Sequence, residues 1–584
     1  YKLENEPHEK LWESGADGVD EGKRNKTATS ICGKLLSSLP KKLWDVAGWG
    51  GLKELNQMNT KPLTEKELRN TFESVRKIAE KKSDEDFSAR LIVKLILQKT
   101  EALFHTETKD GYVQINNEDI KEIHKISSIS FKHLVIQWVW KSFKKPISPE
   151  IMKQALSVIE SKAICEGELI PIFNRVAEQD KSFWYDLGDK KWRAIKVTSE
   201  KWSIEMNPPI LFRRYSHQLK QREPDKDGDV LKFLNYVNIQ DSNQQCLLLV
   251  YLVSCFIPNI SHPVLVLHGQ QGSAKSTTMS MLKKLVDPSS IGLLTFPKGT
   301  TELVQQLSHS HASFYDNLSN IGKETSDLLC RAVTGQSFSK RMLYSDDDDI
   351  IVSFKSCLAL NGINVVAQRS DLLDRSILIG LNRINISERK TDKKLWADFE
   401  NDIPLILGGI FNILSRAMSL KDEMDAEIIS RMADFSEWGC CIAEAIGFGK
   451  EKFLSAYSIN MHSQHEHVAH ENVIAATLLE FMKKEKRWNG TAQELLKALG
   501  GIVSVDGYGK PKDPYWPKAS NILTRRINEI RPNLEALGLS IEFERGEERM
   551  ISMVFQKTSS ISSDRQSELR RFDDDDGDST IEKT

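Results

Sequence analysis

The stretch PVLVLHGQQGSAKSTTMSMLKKLV, residues 263–286, constrains the fold more than any other part of this sequence. A short apolar run leads directly into a glycine-containing loop, and a helical pattern follows the loop. Gly269 and Lys275-Ser276 have the spacing of a phosphate-binding loop, in which backbone N–H groups and a helix N-terminus surround an anion. Strand, loop and helix in this order predict a parallel α/β sheet with a phosphate site where the strand ends.

One position in this loop departs from the usual pattern. Ala274 stands where the spacing expects a glycine, and we expect it to be tolerated if its φ is negative, because only a positive φ requires glycine there. Lys275 is predicted to reach the β and γ phosphates of ATP, and the Ser276 hydroxyl to hold Mg²⁺. The alternative is a strand–helix connection that contains Gly and Lys by chance. The predicted nucleotide-binding residues are Gly269, Gln270, Gln271, Gly272, Ser273, Ala274, Lys275, Ser276 and Thr277.

A second strand, HASFYDN, ends in the acid that such a site needs. Asp316 follows the apolar run and is predicted to hold the Mg²⁺ shell, although an acid can also cap an ordinary strand. The next residue is Asn317, where many nucleotide-driven motors carry a glutamate that activates water. An amide cannot act as a general base, but it can orient a water. Either Asn317 positions the water, or a carboxylate elsewhere removes its proton.

A third strand, IIVSFKSCLALNGIN, places Asn361 at its end, where a polar side chain can touch the γ-phosphate or the attacking water. Arg375 then stands just before another strand, ILIGL. We expect it to reach the nucleotide of a neighbouring subunit and neutralise charge on the γ-phosphate. The alternative is a salt-bridged surface arginine, and Arg369 is a weaker candidate for the same role.

Composition limits the classes of protein that this chain can be. The 584 residues suggest several domains, and a net charge of −2 excludes a uniformly basic nucleic-acid coat. Eight cysteines show no Cys-x-x-Cys pair, so neither a zinc ribbon nor a disulfide framework is expected. With no visible signal peptide, these features predict a cytoplasmic protein of a bacterial or phage-infected cell and no membrane partner. The most apolar run, residues 246–257, is predicted to be a buried helix because it is too short to span a bilayer.

Pattern changes along the chain divide it into six segments, with an α/β core preceded by helical and mixed regions. Thr64 and Glu67 have the capping-box spacing of a helix start, and the strand-like alternation of residues 182–204 suggests tight turns. The predicted segments are a helical region (1–85), a mixed α/β region (86–225), the ATPase core (226–420), a helical lid and connector (421–470), a winged-helix-like domain (471–557) and a disordered acidic tail (558–584).

The order Lys275, Asp316-Asn317, Asn361 and Arg375 resembles superfamily 3 helicases of the AAA+ class. The segments GQQGSAKST, FSKRMLYSDDDD, ALNGIN and RSDLLDRSILI resemble the ATPase half of phage, plasmid and poxvirus-type primase-helicases, in a branch where alanine before the lysine is familiar. The resemblance implies an AAA+ core, ATP and Mg²⁺ as cofactors, and a ring, expected to be a hexamer. It covers residues 226–450 most strongly.

The N-terminal segments EGKRN and KPLTEKEL resemble, more loosely, the small helical domain that follows the catalytic core in primase-polymerases. No strand ends in an Asp-x-Asp pair followed by a strand-borne histidine, so nucleotide polymerisation by this chain is not predicted. A primase-polymerase is therefore expected as a partner.

Two surfaces are candidates for contact with DNA. In helicases of this kind a hairpin before the Asn361 strand lines a central pore, and the cations available there are Lys340, Arg341 and Lys355, although its tip is acidic. Pairing of these cations with the nearby aspartates is the alternative.

In the winged-helix pattern of residues 471–557, the third helix presents Lys518, Arg525 and Arg526 to a DNA groove. Winged helices also bind proteins, so that alternative stays open.

The four histidines in MHSQHEHVAHE could suggest a metal site. On a helix, however, they do not share one face, so a solvated connector is predicted instead.

Together the features of the sequence predict an ATP-dependent DNA helicase. Two rivals remain: an AAA+ ATPase that remodels or loads proteins, and a non-catalytic DNA-binding replication factor, which Asn317 favours. Stimulation of ATP turnover by DNA distinguishes the helicase from the first rival, and any turnover excludes the second.

Overall fold

A computed structural model gives the structure of the protein. It describes residues 24–59, 61–85, 88–117, 120–318, 321–336, 338–341, 349–352, 355–362, 369–385, 389, 391–424, 431–503, 516–545 and 549–556. The predicted disordered tail, residues 558–584, lies outside these ranges. Two compact units are formed, residues 1–170 and 171–584. Residues 171–225 thus join the core, whereas the sequence grouped them with residues 86–170.

The first unit begins with three helices that pack around Cys32, Leu36 and Phe72. Thr64 and Glu67 form the predicted capping box, in which the Glu67 carboxylate accepts the Thr64 N–H and the Thr64 hydroxyl accepts the Glu67 N–H. The helices are α1 (Arg24–Ser38), α2 (Trp49–Gln57) and α3 (Glu65–Glu85).

The rest of this unit is a four-stranded sheet of order β3-β2-β1-β4 with helices packed on it. Ser148 caps the helix that begins at Pro149, since its side chain accepts the Ile151 N–H. The elements are α4 (Ala89–Lys99), β1 (Thr100–His105), β2 (Gly111–Asn117), β3 (Ile120–Lys125), α5 (Ile129–Phe143), α6 (Pro149–Cys165) and β4 (Glu168–Leu169).

The second unit opens with an antiparallel sheet of order β6-β7-β8-β9, which confirms the predicted run of strands and tight turns. Its inner residues, among them Phe183, Tyr185 and Trp202, belong to the same hydrophobic core as the phosphate-loop strand. The strands are β5 (Ile172–Phe173), β6 (Val176–Gln179), β7 (Ser182–Asp186), β8 (Ala194–Val197), β9 (Trp202–Glu205) and β10 (Leu211–Phe212), with β5 and β10 paired separately.

A parallel sheet of order β12-β15-β11-β16 forms the centre of the second unit. Helix α7 is buried along nearly its whole length, as predicted for the apolar run. The elements are a 3₁₀ helix (Val230–Tyr236), α7 (Ser242–Ser254), β11 (Val264–His268), α8 (Lys275–Val286), α9 (Thr300–His309), β12 (Ala312–Leu318), α10 (Lys323–Thr334), β13 (Phe338–Arg341), β14 (Asp349–Val352), β15 (Cys357–Gly362), α11 (Ser370–Leu373) and β16 (Ser376–Gly380).

A buried ionic cluster joins the antiparallel sheet to the parallel one. The Arg175 guanidinium donates to Asp287 at 3.0 Å, and Lys283 donates to the other carboxylate oxygen at 2.9 Å. Lys283 and Arg175 hold the pKa of Asp287 well below its usual range against the opposing effect of burial. Removing one member of such a cluster leaves a buried charge unpaired and costs about 3–5 kcal/mol. The cluster therefore fixes residues 171–225 to the helix that follows the phosphate loop.

The helices after the sheet are α12 (Asp392–Lys421), α13 (Ala433–Ile446) and α14 (Lys450–Glu471). By length and composition α12 could cross a membrane, but 56% of its most apolar window is buried inside the protein, which is the pattern of a core helix. Helix α14 lies along β16, the edge strand. Asn460 accepts the Leu378 N–H at 3.0 Å and donates to the Leu378 carbonyl at 2.6 Å, so side-chain amides cover the strand edge.

The C-terminal part has its own core around Leu478, Leu523 and Ile551. Three helices and a three-stranded antiparallel sheet of order β17-β19-β18 build it. The sequence predicted the helices and the last two strands but missed β17, which lies between the first two helices. The elements are α15 (Val473–Glu485), β17 (Arg487–Thr491), α16 (Ala492–Gly500), α17 (Ser520–Ala536), β18 (Leu539–Arg545) and β19 (Arg549–Phe555).

Candidate functional site

The predicted phosphate loop connects β11 to α8, at the carboxyl end of the central strands. Gly269 has a φ of +147°, and a Cβ added there would lie 2.4 Å from the Leu381 carbonyl oxygen. Gly272 has a φ of +84°. Both positions therefore require glycine. The first N–H groups of α8 have no partner inside the helix and carry its positive end, so this loop end suits an anion.

Ala274 adopts a left-handed conformation, with φ +63° and ψ +27°, directly before α8. The expectation that alanine is tolerated here through a negative φ is therefore wrong. The loop keeps the backbone shape that glycine usually provides, and the alanine bears its steric strain. A left-handed conformation costs an L-residue roughly 1–2 kcal/mol.

Replacing Ala274 with glycine should raise the free energy of unfolding by up to about 1 kcal/mol. Relief of the left-handed strain outweighs the greater freedom that glycine gives the unfolded chain. Ala397→Gly, at an exposed position inside α12, is the matched control and should lower that free energy by about 0.5–1 kcal/mol. Denaturant unfolding monitored by circular dichroism measures both, and equal destabilisation by the two changes would contradict a left-handed Ala274.

Lys275 folds back over the loop. Its ammonium donates to the Gly269 carbonyl at 2.8 Å and the Gln270 carbonyl at 3.1 Å. Burial lowers the pKa of Lys275, while the charge of Asp316 opposes that shift. The side chain is thus held at the mouth of the loop by weak backbone acceptors that a phosphate oxygen can replace.

Ser276 and Asp316 meet across the site, with the Ser276 hydroxyl donating to a carboxylate oxygen of Asp316 at 2.8 Å. The sequence separates these residues by 40 positions, and the parallel sheet brings them together. A hydroxyl and a carboxylate oxygen are ligands that Mg²⁺ accepts, usually together with waters and substrate phosphates. The pair therefore fits Mg²⁺, which would supply charge neutralisation to a bound triphosphate.

Asn317 and Asn361 are joined directly. The Asn317 N–H donates to the Asn361 side-chain oxygen at 2.7 Å. Asn317 has a φ of +56° and lies where the pairing of β12 with β15 shifts register. Asn361 is buried, and its side-chain nitrogen has no hydrogen-bond partner among the described residues. A buried donor without a partner is costly unless a ligand or water accepts from it.

These contacts give Asn317 a backbone role that the sequence did not suggest. Asparagine is among the few residues that adopt a left-handed conformation readily, so the bulge itself favours asparagine at this position. Its side chain is exposed. Whether that side chain orients the attacking water stays a prediction.

Arg375 is placed at the far end of the sheet from the phosphate loop of its own chain. Its carbonyl accepts the Val264 N–H, and Gly380 pairs with His268 at the other end of the two strands. Successive strand residues rise about 3.3 Å, so roughly 13 Å separates the two ends. The guanidinium is paired with Asp371, as the surface-arginine alternative expects. Action on a neighbouring subunit remains a prediction.

The hairpin predicted to contact DNA is present as antiparallel strands β13 and β14. Lys340 and Arg341 lie on β13, but their side chains and the acidic tip are outside the described part of the structure. Lys355 follows the hairpin and donates to the Asn259 carbonyl of the protein itself.

The third C-terminal helix, α17, presents part of the predicted basic surface. Arg525 is exposed, and Arg526 is half-buried. Lys518 is exposed but precedes the helix, which begins at Ser520, so the predicted start was two residues early.

The histidine-rich segment lies on α14 and is less solvated than predicted. Burial lowers the pKa of His465, whose ring lies 3.4 Å from the Asn533 side chain of α17. The described residues contain no cluster of three or more His, Cys, Asp and Glu side chains that could hold a metal ion. The prediction of a solvated connector is therefore wrong at His465, because α14 packs on both β16 and α17.

Sequence reasoning missed one cation at the site. Arg389 lies against the phosphate loop, since a Cβ added at Gly272 would be 3.2 Å from its Nη2 atom. No fixed spacing from Lys275 signals this residue, because the chain returns to the loop only after β16.

Two parts of the chain match replication-protein families. Residues 230–464 match the model described as Actinomycete integrative conjugative element replication protein. Residues 474–567 match the model described as AICE RepA C-terminal domain. No curated protein sequence matches the chain. The chain is thus related in sequence to a replication protein of mobile elements.

Solved helicase structures share a distant likeness. One is described as SCCmec type IV Cch, an active helicase, with 11% identity, a TM-score of 0.42, and coverage of 78% of this chain and 92% of that one. The C-terminal region of NrS-1 shows 12% identity, a TM-score of 0.35, and coverage of 79% and 98%. Structural similarity at these identities and TM-scores gives no information about activity.

Proposed function

We propose that this protein is an ATP-dependent DNA helicase or translocase that acts in the replication of a mobile element or phage. Its core would be an AAA+ ATPase of the superfamily 3 type, using Mg²⁺. The match of residues 230–464 to a replication protein supports the biological setting. The proposed use of ATP and Mg²⁺ is supported by the arrangement of side chains at the end of the parallel strands.

The observation that carries the proposal is the contact between Ser276 and Asp316 at 2.8 Å, beside Lys275. Three residues from two strand ends converge where a helix N-terminus presents free N–H groups. Lys275 would bind the β and γ phosphates of ATP, and the unpartnered Asn361 nitrogen would donate to the γ-phosphate or to the attacking water. Such fixed donors stabilise charge as it develops in the transition state.

The position of Arg375 is the reason for proposing that subunits assemble into a ring. Arg375 directly precedes β16, at the end of the sheet opposite its own phosphate loop, and it would complete the site of a neighbouring subunit. The resemblance to superfamily 3 helicases implies six subunits. A primase-polymerase would be the partner that supplies primers, since this chain shows no polymerase motif.

The C-terminal part would be a winged helix that binds DNA. The strands β18 and β19 follow α17 in the chain, where a wing would be expected. The full order of elements is α15, β17, α16, α17, β18 and β19. Exposed Arg525 and half-buried Arg526 on α17 are suited to phosphate contacts, which are independent of sequence.

Replacing Arg525 and Arg526 with alanine should weaken DNA binding by the full chain and reduce its salt dependence. Each lost phosphate contact lowers the slope of log K against log salt by about 0.9 on duplex DNA. Fluorescence anisotropy across a salt series measures this slope. Arg531→Ala is the matched control, because Arg531 lies on the same helix and is paired with Glu535. An unchanged slope in the double variant would indicate a protein-docking role for α17.

Two measurements with the unmodified chain test the proposal as a whole. ATP turnover should rise when forked DNA is added, and a labelled strand should be displaced only when ATP is present. Turnover that is indifferent to DNA would favour an ATPase that remodels proteins. Absence of any turnover would leave a DNA-binding replication factor.

A further inference from the structure

The chain returns to the phosphate loop after leaving the central sheet. We call residues 381–385 the strap. The Leu381 N–H donates to the His268 carbonyl at 2.9 Å, and the Leu381 carbonyl oxygen lies where a Cβ at Gly269 would clash. The Ile384 N–H then donates to the Gly272 carbonyl at 3.4 Å. The strap therefore follows the loop from its first glycine to its second.

Arg389 follows the strap in the sequence. A Cβ added at Gly272 would lie 3.2 Å from its Nη2 atom, so the guanidinium rests against the loop backbone. Its side chain is exposed. A long cationic side chain thus lies against the same loop that carries Lys275.

The charge arrangement points to a polyanion as the ligand of this surface. Lys275, Arg389 and the N-terminus of α8 all bring positive charge to one loop. An arginine offers five N–H donors in a planar fork that matches two phosphate oxygens at once, whereas a lysine offers a single point charge. A nucleoside triphosphate presents phosphate oxygens along a chain, so both cations can bind the same molecule.

We propose that Arg389 binds the phosphate chain of the nucleotide held by its own subunit, and that it complements Arg375 from the neighbour. This inference rests on the proposed ATPase function. The site would then take two arginines of different origin: one that lies against the loop of its own chain, and one that arrives only when subunits assemble.

Replacing Arg389 with alanine should weaken ATP binding and lower kcat/KM on the order of 10–100-fold, the range expected when a charge-assisted hydrogen bond is lost. Arg389→Lys keeps the charge and should recover part of the loss. Arg383→Ala removes an exposed arginine from the same strap and should match the parent. Titration with ATP and ADP gives binding separately from turnover, and circular dichroism confirms that each variant is folded.

Mixing variants tests whether Arg389 acts within its own subunit. Subunits carrying Arg389→Ala mixed with Lys275→Ala subunits should show no recovered activity, because no chain holds both residues intact. Recovery in that mixture would overturn action in cis. Parental ATP binding and turnover by Arg389→Ala would overturn the inference while leaving the ATPase proposal intact. Failure of the unmodified protein to bind or hydrolyse ATP would overturn both.

Discussion

Replacing Lys275 with alanine is expected to reduce ATP turnover by on the order of a hundredfold to a thousandfold. The lysine is the residue that would hold the β and γ phosphates, and loss of a fixed electrostatic group from a transition-state site has effects of this size. Among the described residues, its ammonium donates to backbone carbonyls and to the Ser273 hydroxyl of its own loop, and no ion pair holds it there. Steady-state release of phosphate by the purified protein measures the effect.

Lys284→Ala is the matched control for this experiment. Lys284 lies on the same helix and pairs with Glu400 away from the loop, so its removal should leave turnover near the parental rate. An unchanged melting temperature would show that Lys275→Ala remains folded. Turnover at the parental rate in Lys275→Ala would show that the loop is not the nucleotide site.

Replacing Arg375 with alanine should leave ATP binding nearly intact but reduce turnover on the order of 10³-fold or more, the range attributed to arginine fingers. The reason is that Arg375 would act on the nucleotide of a neighbour. Mixed rings of Arg375→Ala and Lys275→Ala subunits should recover part of the activity. At some interfaces an intact Lys275 site faces an intact Arg375 from the other parent.

The ion pair between Arg375 and Asp371 requires its own control. Asp371→Asn breaks that pair without removing the arginine. If Arg375 only supports its own subunit, Asp371→Asn should lower turnover as much as Arg375→Ala. If it acts in trans, Asp371→Asn should retain most activity. Sizing must first show that mixed oligomers form, and mixed rings without recovery would contradict the trans role.

Arg375 and Arg389 differ in their position relative to the phosphate loop of their own chain, so the two mixing experiments have opposite expected results. Arg375 directly precedes a strand whose start is far from its own phosphate loop, and Arg389 lies against that loop. Recovery with Lys275→Ala is therefore expected for the first arginine and not for the second. The same assay thus assigns each arginine to its own subunit or to a neighbour.

The sequence by itself determined the elements whose signals are local. The apolar run before Gly269, the helical pattern after Lys275 and the acid after the next apolar run identify β11, α8 and Asp316, because strand and helix periodicities and loop spacing extend over only a few residues. The Thr64–Glu67 capping box and the buried helix α7 were predicted for the same reason.

Only the tertiary structure decided the features that depend on contacts between distant parts of the chain. The sign of φ at Ala274 follows from how the loop joins β11 to α8, and the pairing of Asn317 with Asn361 needs two neighbouring strands in register. The strap reaches Gly272 through Ile384, and α14 covers β16 through Asn460. These contacts join residues that are far apart in sequence. Neither hydrophobic periodicity nor residue spacing indicates which distant surfaces will be in contact.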